Sequence, residues 1–165
     1  VDDIVEESGT SKGSFYHYFD GKDALLSSLS ILFDEKYEEL WPSIPPEMDA
    51  LDKLAYLTRE LFGFIEDTVS LELLARLFSS QLITKGERHL LDHSRVYYRV
   101  LRTLLAEGQQ RSQIRDDVTV NELCKLYALL ERGLMYDWCI CNGDYSLKSY
   151  AERTMPMLLT AFRKK

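Results

Sequence analysis

His89 and His93 stand four residues apart in a stretch of helical periodicity, a spacing that puts both imidazoles on one helix face, where Glu87 or Asp92 could help them hold a metal ion. Leu90 follows His89, so the glutamate of a His-Glu-x-x-His metallopeptidase is missing, and two histidines near a helix start are usually a solvated face. No metal and no cofactor is expected. Cys139 and Cys141 point to nearly opposite sides of a helix, and with Cys124 they read as core thiols rather than ligands or redox sensors. No nucleophile elbow, glycine-rich phosphate loop or paired acids stands out, so no catalytic residue is assigned and an enzyme is not expected. A different group lies near the start of the chain. Phe15 and Phe19 face inward with Ile4, Val5 and Leu25, which leaves Lys12, Tyr16 and His17 pointing outward, and an outward aromatic pair is costly without a partner surface.

The elements that must position that group are two short helices. Residues 1–8 carry Val1, Ile4 and Val5 on one side and end at Gly9, which can take the left-handed conformation of a C-cap. Ser11 caps a second helix to about residue 19, closed by the turn signal Asp20-Gly21. Such a pair describes a helix-turn-helix, although many ordinary helical pairs share its spacing.

The residues narrow the choice. The run Ile4-Val5-Glu6-Glu7-Ser8-Gly9-Thr10-Ser11-Lys12-Gly13-Ser14-Phe15-Tyr16-His17-Tyr18-Phe19-Asp20-Gly21-Lys22-Asp23-Ala24-Leu25-Leu26 closely resembles the signature of the TetR (tetracycline-repressor-like) family. In detail the resemblance covers roughly the first 30 residues, and beyond them only the architecture fits. It implies a turn and recognition helix in which Lys12, Gly13 and Tyr16 meet base edges, a lysine being able to donate to guanine O6 and N7. Ser11, Ser14, His17, Tyr18 and Lys22 match positions that hold phosphates, Lys22 with help from its helix N-terminus. Gly13 lets the recognition backbone approach the duplex. Two departures stand out. The family's first helix is absent from this sequence, which opens at Val1 inside an amphipathic pattern, so an incomplete N-terminus is expected. Asp20 occupies a place where relatives often carry Lys, which implies weaker or more salt-sensitive phosphate binding.

Charge poses a tension. The net charge is -7, and residues 1–40, with ten acidic and three basic residues, account for all of it, while residues 41–165 are balanced. From Gly9 to Lys22 there are two lysines against one aspartate, so the contact surface itself is not acidic. The three cysteines lack a framework spacing and no signal peptide is expected, so a reducing, cytoplasmic location is expected. No stretch is long and apolar enough for a membrane span.

Apolar residues recur at helical spacing almost throughout, which predicts an all-α fold: a helix-turn-helix DNA-binding head plus a helical ligand-binding and dimerisation domain. The DNA-binding part, with the start of a connecting helix, is read as residues 1–40, and the effector-binding and dimerisation domain as residues 41–165. Helices are predicted over residues 22–40, 50–68, 70–81, 84–112, 119–141 and from 146 to the C-terminus. Pro42, Pro45 and Pro46 mark a connection, Thr119 and Glu122 a capping box, and Pro156 a kink. The last two helices resemble a dimerisation pair, with Leu123, Tyr127, Leu130, Leu134 and Trp138 on one and Leu147, Tyr150, Met157, Leu158 and Phe162 on the other. Tyr56, Phe62, Phe64, Phe78, Tyr97 and Tyr98 are candidate effector-binding residues, some of them serving as plain core. The resemblance implies a homodimeric, ligand-responsive repressor that binds double-stranded DNA at a pseudo-palindromic operator and answers to an unidentified small molecule. Two alternatives stay open: an interaction protein of the same fold without specific DNA binding, and a helical enzyme with a metal at His89 and His93.

Overall fold

The computed structural model describes residues 22–83 and 88–165, and of residues 22–27 only the backbone. Six α-helices occur in this part: α1 Lys22–Leu40, α2 Ala50–Thr68, α3 Leu71–Ile83, α4 Val96–Gln110, α5 Val120–Ile140 and α6 Leu147–Leu159. One isolated antiparallel bridge, Ile114 with Arg163, ties the C-terminal end to the loop after α4. The fold is all-α, as predicted. The two short helices over residues 1–8 and 11–19 fall outside the described residues. None of the described helices is long and apolar enough to cross a membrane.

Helix boundaries follow local chemistry. Asp49 caps α2 by accepting from the Leu51 N–H at 2.9 Å, Ser70 accepts from Leu73 N–H at the start of α3, and Thr119 and Ser146 cap α5 and α6. After α5 the chain turns through Asn142 and Gly143, both with positive φ, and the Gly143 N–H closes on the Trp138 carbonyl at 3.0 Å. Helix α6 continues through Pro156 to Leu159.

One prediction needs correction. The long helix over residues 84–112 is instead a 3-10 turn, His89–Leu91, followed by α4, which starts only at Val96 and ends at Gln110. Asp92 is the cause: its Oδ1 accepts from both the N–H and the hydroxyl of Ser94, a side-chain turn that competes with a continuous helical ladder. Residues 84–87 lie outside the description.

The core is one cluster shared by all six helices. On α1 it takes Leu29, Phe33, Tyr37 and Leu40, a helical row, and on α2 the fully buried Leu54, Leu57, Phe62 and Ile65, each contributing about 2 kcal/mol of hydrophobic stabilisation. Helix α2 packs most extensively on α6. Gly108 makes the α4 end possible: a Cβ there would lie 2.5 Å from Ile114 Cδ1 and 2.8 Å from the Ala50 Cβ. The proline connection is pinned rather than loose, since Lys53 and Arg111 both donate to the Pro46 carbonyl, at 3.0 and 3.1 Å.

Candidate functional site

A cavity of about 610 Å³ opens between the C-terminal half of α3, the turn at His89–Leu91 and the middle of α5. Its walls are Phe78, Gln81 and Leu82, then Arg88, Leu90 and Leu91, then Leu129, Arg132, Gly133 and Tyr136. A smaller space of about 40 Å³ lies further in, walled by residues of α1 to α5. Phe78, Leu90 and Arg132 border both, so the two are neighbours across a shared wall.

A buried polar cluster borders the inner space. Glu131 of α5 is 2% exposed, and its carboxylate accepts hydrogen bonds from Thr58 Oγ1 at 2.7 Å, Tyr97 Oη at 2.9 Å and, more weakly, Tyr37 Oη at 3.3 Å. Thr58 also pairs with Tyr127 Oη at 2.6 Å, and Tyr127 reaches the Leu54 carbonyl. Burial pushes the Glu131 carboxyl above its ordinary range while the hydroxyl donors pull it back. Burial, reinforced by the neighbouring carboxylate, also raises the phenols of Tyr37, Tyr97 and Tyr127. The cluster joins four helices: α1 through Tyr37, α2 through Thr58, α4 through Tyr97, and α5.

A second tie fixes α1 to the start of α4. Arg95 grips Asp34 with two nitrogens, at 2.9 and 3.1 Å, and also donates to the Ser30 carbonyl. Arg95 borders the inner space as well. Arg132, at the shared wall, is part-buried and donates to Tyr98 Oη at 3.4 Å, while Tyr98 in turn donates to the Leu90 carbonyl at 3.0 Å.

Of the predicted effector-binding aromatics, Phe78 lines both spaces and Tyr97 the inner one. Phe62 is fully buried in the core. Tyr98 is buried too, and reaches the shared wall only by its hydroxyl, at Arg132. Tyr56 and Phe64 are half-buried elsewhere, Tyr56 beneath Arg59 and Phe64 beneath Lys36. Sequence reasoning missed Glu131, Arg132 and the Asp34–Arg95 pair. Glu131 had one available signal: it stands four residues after Tyr127 and four before Met135, a charge in the middle of an apolar row.

The predicted dimerisation residues divide. Leu123, Tyr127, Trp138, Leu147 and Phe162 are buried inside their own subunit, and Leu130, Leu134 and Tyr150 are half-buried. Met157 and Leu158 are exposed. The exposed apolar stripe of α5 is offset from the predicted one and runs through Leu126, Leu129, Tyr136 and Ile140, with Gly133 at its centre. His89 and His93 do not share a helix face, because His89 sits in the 3-10 turn and His93 stacks on Tyr98 with ring centroids 4.3 Å apart. Cys124 is buried with its thiol pushed up to about 11, and burial also raises Cys139 and Cys141. Of the predicted DNA-contacting residues, Ser11, Lys12, Gly13, Ser14, Tyr16, His17 and Tyr18 lie outside the described residues, and Lys22 opens α1.

Comparison with known proteins adds three findings. Residues 1–29 match the family model described as "Bacterial regulatory proteins, tetR family". The "Fatty acid metabolism regulator protein" of Bacillus subtilis (strain 168) is 22% identical over 169 residues, which span 100% of this chain and 86% of that protein. Two solved structures share the fold. One, described as "Molecular basis for control of antibiotic production by a bacterial hormones", has a TM-score of 0.73 at 16% identity, covering 98% of this chain and 85% of the other. The second, the transcriptional regulator FadR from Bacillus subtilis in complex with stearoyl-CoA, has a TM-score of 0.70 at 20% identity, covering 98% and 88%. The signature run at the N-terminus matches the model of the tetR family, and the all-helical body shares the fold of these two solved structures.

Proposed function

We propose that this regulator is a homodimeric, effector-responsive repressor acting in the cytoplasm on a pseudo-palindromic operator. Residues 1–40 would carry the DNA-reading head and the start of the connecting helix, and residues 41–165 the effector and dimer functions. Lys12, Gly13 and Tyr16 read bases, while Ser11, Ser14, His17, Tyr18 and Lys22 hold phosphates. The observation that carries the effector reading is the double cavity, because its inner wall includes Phe33 and Tyr37 of α1, the helix that begins directly after the proposed reading segment. A molecule that presses on that wall acts on the lever that aims the heads. It binds the head spacing that misfits DNA more tightly and so shifts the population away from the operator-bound form. An effector with a long acyl chain is the first class to try, since one relative is a fatty acid metabolism regulator protein and one protein of the same fold is solved in complex with stearoyl-CoA.

A band-shift assay on the upstream region of its own gene, across a salt series, tests this. The expected result is a sequence-specific complex that weakens steeply with salt, is lost in Tyr16→Ala, and dissociates on adding a fatty acid such as decanoate. Absence of any sequence-specific complex would favour the interaction-protein alternative, which the acidic first forty residues motivate.

A further inference from the structure

Toward solvent the cavity walls are Leu82, Leu91, Leu129 and Tyr136, with Arg88 and Gln81 also on the outer space, and Arg132 stands on the wall shared with the inner space, beside the buried Glu131 cluster. A guanidinium offers five donors, and among the described residues Arg132 has no carboxylate within ion-pair distance and a single long bond to Tyr98 Oη. The other cavity-wall arginines are better served. Arg95 is chelated by Asp34, and Arg88, at the rim, is exposed and donates to the Gln81 carbonyl at 2.9 Å. A part-buried cation with most donors unspent, set in apolar walls, is a ready partner for a planar anion that takes two parallel N–H bonds.

Resting on the effector reading above, we infer that Arg132 anchors the carboxylate of a compact amphipathic acid, with the acid's apolar body directed outward between Leu91, Leu129 and Tyr136. This orientation is head-inward. A chain entering tail-first would end its hydrocarbon against Arg132 and the Glu131 hydroxyl cluster, where burying methyl groups leaves the cation without a partner. A thioester with a large nucleotide head must enter that way, because the head cannot pass into the 40 Å³ inner space. The preferred ligand is therefore the free acid.

Calorimetric titration of the full chain with decanoate, 1-decanol and decanoyl-CoA decides between these orientations. Decanoate should bind at least about tenfold more tightly than 1-decanol, and Arg132→Gln should remove that advantage while leaving 1-decanol within about twofold. Arg132→Lys should restore part of it, and Lys125→Gln, an exposed position of α5 away from the cavity, should leave it unchanged. The inference is overturned if Arg132→Gln binds decanoate like the parent, if the alcohol binds as tightly as the acid, or if decanoate does not bind. It is also overturned if decanoyl-CoA is the tightest ligand and loses affinity in Arg88→Gln alone. Leu129→Trp, which fills the outer space, separates the two levels of the reading. Unaltered decanoate binding in that variant sinks the cavity as effector site, whereas binding lost in Leu129→Trp but kept in Arg132→Gln sinks only the anchor. A thermal melt of each variant checks that it is folded.

Discussion

Glu131 is the residue on which the interior depends most. A carboxyl taken out of water is held above its ordinary value of 4.5, and Thr58, Tyr97 and Tyr37 offset part of that cost by donating to it. A raised acid holds its proton more firmly folded than unfolded. Its contribution to stability is whole below about 4.5 and is lost as pH climbs through the folded value. Glu131→Gln, neutral at every pH, should flatten that decline in a series of urea midpoints, and a parent-minus-variant difference that stays constant from acid to neutral pH would refute it. Glu131→Leu should cost more, about 1–3 kcal/mol for each hydroxyl left without an acceptor. This residue was hard to read from sequence because periodicity favoured Leu123, Tyr127, Leu130, Leu134 and Trp138 as one stripe. The helix instead turns Cys124, Tyr127, Ala128, Glu131, Met135 and Trp138 inward. A choice between adjacent stripes depends on what packs opposite, here Thr58 and Tyr97, and a single helix does not contain that information.

At the level of elements, helix starts were legible wherever a short side chain does the capping, as at Asp49, Thr119 and Ser146. The failure at residues 84–112 has the same origin. Asp92 and Ser94 form a local turn inside an apolar periodicity, and the turn wins because Arg95 is pulled across to Asp34. The break shapes the cavity, since the turn supplies Leu90 and Leu91 to its wall. Gly108 offers a test of packing against propensity. Alanine there should gain about 1 kcal/mol of helix propensity but collide with Ile114 and the Ala50 Cβ, and overpacking costs about 1–3 kcal/mol. Net destabilisation, with a lower melting temperature, is the expected outcome; a more stable Gly108→Ala would show that the α4 end can open without penalty.

For the whole molecule, the proposed dimer depends on the stripe Leu126, Leu129, Tyr136 and Ile140 on α5 and on Met157 and Leu158 of α6, large apolar side chains that the subunit itself leaves uncovered. Leu126→Glu should convert the protein to monomers in sedimentation runs and lower operator affinity with it, because two heads held together bind two half-sites far better than either alone. An unchanged sedimentation profile would place the dimer contact elsewhere. Leu129, Gly133 and Tyr136 belong at once to this stripe and to the lip of the 610 Å³ cavity. A twin laid along α5 would therefore roof the opening, and a small molecule would enter and leave chiefly when the roof lifts. Stopped-flow release of a bound probe should then slow as protein is concentrated, a kinetic trace of two subunits sharing one doorway.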